Sequence, residues 1–408
     1  MAGLICLVTA LNYLDRNTLS LVKPWLEKDL GVTHEIYGNI QAAFLIGYMI
    51  MYAVSGRVID FLGTRRGFAV FVSGWSLVDL LHSVAQNAKQ FMGCRFLLGM
   101  TEPANFPAGV KAVSEWFPVR ERALAVGIFN SGTAIGASIA APLVAWIVIH
   151  FGWRYTFVAG AMLSLTWVIF WLLIYRVPQE HPHISKKELE LIQENQPVTA
   201  TVERISTRRI LRMKEAWGCI LARALTDPIS YFIIVWLPDF LHRERGFDMT
   251  DMARYYWIPF VGLALGNLTG GAVPRYLIQR GWSLNRARKL MMFIASLMIP
   301  AAFISTVYVA DPMLTIGCTA TALFFHGVWA NVTLPAEVFP KHVVASVSGF
   351  GGDCGALIGA IMTKVVGKMV TVGTYTPVFI IYAMLPMIAF VIVCLLVKRL
   401  GQIREVPA

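Results

Sequence analysis

Apolar residues run through this chain in long blocks separated by short polar loops. The blocks fall near 2–24, 37–62, 67–86, 90–113, 121–149 and 154–176, then near 215–242, 250–278, 288–309, 312–335, 342–369 and 375–397. A helix needs about 20 apolar residues to cross a bilayer, and each block supplies them. Strands of a membrane barrel would instead be about 10 residues long and strictly alternating. The pattern predicts an all-α membrane protein with twelve transmembrane helices in two six-helix bundles, over residues 1–176 and 215–408. A cytoplasmic linker over residues 177–214 joins them. Within the linker, SKKELELIQEN (185–195) reads as a short surface helix with Ser185 as N-cap and Glu188 completing a capping box. The first block has no basic leader or small-residue cleavage site, so it reads as a spanning helix rather than a signal peptide.

The two halves repeat. SEWFPVRERALAVG (114–127) aligns with AEVFPKHVVASVSG (336–349), matching Glu115 with Glu337, Phe117 with Phe339 and Pro118 with Pro340. After one inserted residue, Gly132 matches Gly355 and Gly136 matches Gly359. Both segments lead into the fifth helix of their half. A shift of six helices preserves orientation across the membrane, so the bundles are parallel repeats about an axis along the membrane normal, an arrangement found in secondary transporters.

Composition agrees with the pattern. Of the 408 residues 57% are hydrophobic and 14% charged, against about 45–50% and 25% in a soluble domain. Such a chain cannot hide its apolar residues inside a water-soluble surface. The net charge of +11 sits in loops between the blocks rather than in aromatic-studded patches, so nucleic acid is not an expected partner. With Met1 inside, the inner loops hold more than twice as many Lys and Arg as the outer ones, which puts both termini and the linker in the cytoplasm. The six cysteines form no CxxC or CxxxC pair, so neither a disulfide framework nor a metal site is expected. No nucleophile–base spacing, phosphate-binding glycine loop or large soluble region points to an enzyme.

GRVIDFLGTRR (56–66) lies between the second and third helices. Gly56, Asp60, Gly63, Arg65 and Arg66 follow a G-x-x-x-D-x-x-G-x-R-R pattern, which resembles a signature of the major facilitator superfamily in the place where that family has it. Gly56 lets a neighbouring helix approach closely, and Gly63 permits the tight turn. Asp60, at a helix end, can accept from free N–H groups and from an Arg of another loop, with Arg122 as the candidate. These residues are expected to form a cytoplasmic gate. The matching stretch of the second half, Gly271 to Gly281, lacks the Asp, which predicts an asymmetric gate.

The first helix carries Tyr13, Asp15 and Arg16 near mid-membrane. A charge there costs about 2.5–3.5 kcal/mol even on the lenient insertion scale, and such residues face a polar interior and mark transport paths. The fourth helix adds Arg95 and Glu102, two turns apart on one face and about 10 Å from each other, followed by Pro103 and Pro107. Two acids thus stand against two bases. They could be structural ion pairs, but buried pairs are a weak source of stability. In the functional reading an Arg binds an anion and a carboxylate carries a proton. Burial favours the neutral carboxyl and a nearby Arg favours the carboxylate. A substrate carboxylate that takes the Arg therefore promotes proton uptake, the sign that symport requires. Tyr48, Asn130 and Thr133 of the first half, and His326, Trp329, Asn331 and Asp353 of the second, are candidate ligand contacts, the Trp face suiting the C–H side of a sugar-like chain.

With YLDR at 13–16, Arg95 and Glu102 at their spacing, EWFP at 115–118 and FNSG at 129–132, the chain resembles the anion:cation symporter family within that superfamily. It looks closest to bacterial hexuronate and galactonate-type proton symporters. The resemblance implies proton-driven import of a sugar acid by alternating access, through a monomeric multi-pass protein of the bacterial inner membrane. No cofactor beyond the proton gradient is implied, and the partners are a small organic anion, H+ and the lipid bilayer. By motif position Asp15 and Glu102 would be the proton-coupling acids, Arg16 the carboxylate clamp, Arg95 the partner that tunes them, and Tyr13 and Tyr48 ligand contacts. Phe325–His326 looks like the hexuronate type, and Gly132–Thr133 replaces the Gln of some aldonate carriers. Hexuronate, such as glucuronate or galacturonate, is the first expectation; an aldonate, dicarboxylate or aromatic acid, with or without proton coupling, is the alternative.

Overall fold

A computed structural model describes residues 1–118, 121–182, 184–193, 207–329, 334–339 and 341–400. Asn331 lies outside them. The first half runs α1 (Ala2–Leu30), α2 (His34–Leu62), α3 (Thr64–Val84), α4 (Ala88–Thr101), α5 (Asn105–Trp116), α6 (Arg122–Phe151) and α7 (Arg154–Ile174). Two short helices, α8 (Lys186–Gln193) and α9 (Thr207–Ile210), belong to the linker. The second half runs α10 (Lys214–Arg245), α11 (Met249–Tyr255), α12 (Ile258–Gln279), α13 (Leu284–Tyr308), α14 (Pro312–Trp329), α15 (Leu334–Val338), α16 (Lys341–Val372) and α17 (Thr376–Leu396). Taking α4 with α5, α11 with α12 and α14 with α15 as one span each gives twelve spans, six in each half.

Among the described residues, eight helices are long and apolar enough to cross a membrane by length and composition alone; a ninth joins them if the pair His34–Tyr52 and Val54–Leu62, bent by 53°, counts as one span. The first span falls short because it carries charge, the fourth because it is broken, and the eighth, α12, because Asn267, Arg275 and its glycines lower its hydropathy. The fourth block is not the single helix its hydropathy suggests. Pro103 lacks an N–H and crowds the preceding turn, so α4 ends at Thr101, a 3₁₀ turn covers Glu102–Ala104, and α5 begins at Asn105. In the linker Ser185 caps α8, its Oγ accepting the Glu188 N–H at 3.1 Å.

The chain divides into two compact units, Met1–Val32 with Asn39–Thr201, and Thr33–Gly38 with Val202–Ala408. The same pairs of spans pack in each. In the first unit α1 packs on α6 and α3 on α7; in the second α10 packs on α16 and α13 on α17. The α1–α6 seam is close because Gly132 and Gly136 leave the backbone of Cys6 and Ala10 room that a Cβ would fill. In the second unit the residues that start α2 dock on α10: His34 Nε2 lies 3.0 Å from Asp239 Oδ2, and the Tyr37 hydroxyl donates to the Val235 carbonyl at 3.0 Å.

The repeat extends to the ends of the fourth and tenth spans. Glu115 accepts from the Thr64 hydroxyl at 2.7 Å and from the Tyr175 hydroxyl; its counterpart Glu337 lies 2.6 Å from Arg288 Nε. Each glutamate thereby ties its span to the start of the span before it. Burial, with the Glu115 carboxylate adding to it, pushes the Tyr175 phenol well above its ordinary pKa. It is a permanent donor to Glu115.

Candidate functional site

Asp15, Arg16, Arg95 and Glu102 come together inside the first unit, all of them buried. Arg16 Nε donates to Glu102 Oε2 at 2.6 Å, with the side chains 8% and 1% exposed. The break at Pro103 matters here, since it sets Glu102 at the end of α4 rather than inside a regular helix. The guanidinium of Arg16 is also collared by ring faces, with its Cζ 5.0 Å from the centroid of Tyr13, 5.5 Å from Phe44 and 4.7 Å from Tyr48. Its Nη2 is buried and has no hydrogen-bond partner among the described residues. Arg95 places its Cζ 5.5 Å from the centroid of Phe44 and lies in electrostatic reach of both Asp15 and Glu102. Asn105 donates to the Thr9 hydroxyl at 3.1 Å and ties α5 to α1.

The remaining first-half candidates are placed differently. Tyr48 is buried and belongs to the collar. Asn130 is exposed on α6 and Thr133 partly so, with the Thr133 hydroxyl donating to the Asn130 carbonyl at 2.9 Å; neither hydrogen-bonds to the four charged residues.

The balance of two acids against two bases does not hold. Asp79 and His82 of α3 are buried beside the cluster at 1% and 0% exposure. Asp79 Oδ1 lies 3.9 Å from His82 Nδ1, and Asp79 is in electrostatic reach of Asp15, Glu102 and Arg95. The signal was present in the sequence, since VDLLHS puts an acid and an imidazole inside an apolar block as plainly as YLDR does.

The second unit holds its own polar cluster. Arg223 Nε donates to Asp227 Oδ2 at 2.8 Å and Nη1 to the Ser348 carbonyl at 2.9 Å. The Ser230 hydroxyl pairs with His326 Nε2 at 2.8 Å. Asp353 faces Arg223 electrostatically, and its Oδ1 has no partner among the described residues. Trp329 is buried with its indole N–H similarly unmatched. The structure thus supports His326 and Asp353 as members of one polar group and adds Arg223, Asp227 and Ser230, which stand on α10 as unmistakable polar positions in CILARALTDPIS.

Between α2 and α3 Gly63 has φ 76°, the positive value that the turn requires. Gly281 repeats it at φ 91° after α12, so the turn recurs where the motif does not. Asp60 does not pair with Arg122. Its partner is Lys111 of α5, at 2.8 Å. Arg122 instead closes its own helix entry, donating to the carbonyls of Phe117 at 3.1 Å and Ser114 at 2.8 Å. The reason is local: with α6 beginning at Arg122, the orphan carbonyls at the end of α5 lie nearest to it. Arg65 donates to the Leu172 carbonyl, whereas Gly56 only approaches Pro107, and Arg66 is exposed.

Two six-helix bundles that repeat their packing, with charge buried at mid-helix, define a polytopic membrane transporter. The chain matches the Major Facilitator Superfamily over residues 5–363 and belongs to that family. It is 34% identical over 402 residues to the hexuronate transporter of Escherichia coli (strain K12), covering 96% of this chain and 92% of that one. It is 35% identical over 327 residues to the galacturonate transporter of Dickeya chrysanthemi, covering 79% and 94%. The inward-open structure of the xylose transporter XylE from E. coli has a TM-score of 0.75 over 97% of this chain and 95% of that one, at 12% identity, a likeness of fold alone. The chain is therefore a transporter and not an enzyme.

Proposed function

We propose that this protein imports a hexuronate, such as glucuronate or galacturonate, together with a proton across the bacterial inner membrane, with both termini cytoplasmic and the monomer as the working unit. The relatives at 34–35% identity are named for hexuronate and galacturonate. The observation that carries the reading is Arg16. Its guanidinium spends one edge on Glu102 and keeps a buried Nη2 that no described protein group satisfies. An unmatched buried donor costs about 1–3 kcal/mol, which a ligand acceptor recovers. A carboxylate meets that donor with the planar geometry that a guanidinium favours. The faces of Tyr13 and Tyr48 around it suit the C–H side of a sugar ring.

Coupling follows from charge balance. Glu102 is neutralised by Arg16 in the empty site. An incoming carboxylate that engages Arg16 adds one negative charge to a buried cluster, and a proton on Glu102 or Asp15 restores neutrality. Loading therefore proceeds with anion and proton together, and neither is carried well alone. His326, Asp353 and Trp329 of the second unit are proposed hydroxyl contacts, and Asp60, Gly63, Arg65 and Arg66 parts of the cytoplasmic gate.

A thermal-shift screen tests the substrate class. Glucuronate or galacturonate should raise Tm in a concentration-dependent way, and Arg16→Ala should abolish the shift. A shift from galactonate, a dicarboxylate or an aromatic acid in place of hexuronate would move the protein to another anion class. A shift retained in Arg16→Ala would reassign the clamp to Arg95.

A further inference from the structure

The first turn of α2 belongs with α10 and α16 and not with the rest of its helix. Thr33–Gly38 fall in the second unit, and the chain enters the first unit at Asn39. Three features dock that turn. Tyr37 is fully buried, donates to the Val235 carbonyl, and sets its ring edge-on to Trp236 with centroids 5.1 Å apart. Gly38 and Gly367 let α2 cross α16 backbone to backbone. A Cβ on Gly38 would lie 2.9 Å from the Thr363 carbonyl oxygen, and one on Gly367 2.7 Å from that of His34. The third feature is polar: His34 stacks parallel to Trp236 and points Nε2 at Asp239 Oδ2, 3.0 Å away.

Asp239 is the centre of the polar contact. Its side chain is 2% exposed and that of His34 12%. The Tyr375 hydroxyl, at the start of α17, donates to Oδ2, and Arg243 Nε donates to Oδ1 at 3.2 Å. A carboxylate only accepts, so His34 Nε2 carries the hydrogen whether the ring is neutral or charged. A proton on Nδ1 therefore leaves the geometry intact and turns a neutral donor into a cation beside a buried anion. Other charged and titratable groups of the second unit also face this turn. Glu35, next to His34, lies 4.0 Å from Lys368 Nζ of α16, both side chains at least half exposed. Lys364 of α16 approaches Gly38 through its Cα. His242 of α10 turns Nδ1 to the Phe247 carbonyl at 2.8 Å. Among these groups, His34 alone sets an imidazole against a buried carboxylate.

We infer that His34 and Asp239 form a proton-operated latch: a proton bound by His34 holds the first turn of α2 in the second unit, and its loss lets that turn leave. The inference rests on the alternating-access reading, in which movement of one unit against the other strains a turn that joins them through the chain. Tyr37 and the glycine crossing supply a fixed part of the docking, and His34 the part that follows the proton. The charged ring is favoured docked, so docking gains in acid and weakens as the pH rises through the range, about 5 to 8, in which a histidine gives up its proton. With both termini cytoplasmic α2 begins at the outer face, and the proton that sets the latch comes from the side of loading.

Amide hydrogen exchange of the purified full-length protein, without substrate, tests the latch. After correction for intrinsic chemistry, residues 37–40 of the wild type should exchange about fivefold more slowly at about pH 5.5 than at about pH 7.5, the step expected when a hydrogen bond to a carboxylate gains a charged donor. His34→Gln, which keeps a neutral donor, and Asp239→Asn should each remove the step. Should Asp239→Asn not fold, His34→Gln at the rim of the contact decides alone. Glu35→Gln should keep the step; its loss there, its absence from the wild type or its survival in His34→Gln would overturn the latch. In proteoliposomes, acid on the face where α2 begins should slow glucuronate exchange by the wild type about fivefold relative to His34→Gln, with no difference at about pH 8. Equal rates in acid would show that the turn does not gate transport. If the amide step is present and no hexuronate is carried, the latch stands and the substrate reading falls.

Discussion

Arg16 is held by one carboxylate and by three ring faces, and that combination suits a guanidinium better than an ammonium. A lysine in its place would keep the charge but lose the planar fork and the stacking. Arg16→Lys is therefore expected to weaken hexuronate binding about 10- to 100-fold, equivalent to about 1.4–2.8 kcal/mol, in a calorimetric or thermal-shift titration; equal affinity would mean that the fork is not used. Glu102→Gln should leave Arg16 buried without its counter-charge, a loss of about 3–5 kcal/mol in pairing, and so a lower Tm in the empty protein that added anion partly restores. A ligand that fails to restore it would place the carboxylate elsewhere. Asp15, Arg16, Arg95 and Glu102 were legible in the sequence because a charge inside an apolar block has few structural reasons to be there. Asp79 gives the same signal. Its place beside the cluster was not legible, because tertiary packing sets which buried charges meet, and spacing along one helix is silent about that.

At the level of elements, the α1–α6 seam depends on Gly136, whose added Cβ would meet the backbone of Ala10. Gly136→Ala should push the helices apart and destabilise by about 1–3 kcal/mol, whereas Gly127→Ala, with nothing within 4 Å of the new Cβ, should be neutral or slightly stabilising. Thermal unfolding of the two variants side by side measures the difference; equal Tm values would show that the seam has slack. The Asp60–Lys111 pair is open to solvent, Asp60 being 73% exposed, so a double-mutant cycle should give a coupling of at most about 1 kcal/mol. The Asp60–Arg122 cycle should give none. Existence and order of the spans were legible because hydropathy marks them directly. The breaks were less so. Pro103 advertises a bend, yet a proline in a membrane helix can also be tolerated in place, and only the packed structure shows α4 ending in a 3₁₀ turn. The partner of Asp60 was misread for a related reason. Lys111 lies inside the fourth block and looked like part of a helix, while Arg122 lay in a loop where a free cation was expected.

Across the whole molecule, the internal repeat does most of the explaining. The same pairs of spans pack in both units, Glu115 and Glu337 repeat a tie to the preceding span, and Gly63 and Gly281 repeat a turn. The polar clusters do not repeat. The first unit concentrates three carboxyls and two guanidiniums, while the second has Arg223 and Asp227 with Ser230, His326 and Asp353. In the proposed function proton coupling falls to the first unit, whose three carboxyls are all buried, whereas the side chains of Arg223 and Asp227 are 20% and 17% exposed. The most direct measurement is glucuronate accumulation in proteoliposomes under an inward proton gradient, compared between the wild type and Asp15→Asn. Wild-type protein should concentrate glucuronate and lose the effect when the gradient is collapsed, and Asp15→Asn should exchange glucuronate without concentrating it. Equal, gradient-driven accumulation by both would contradict coupling through the buried cluster.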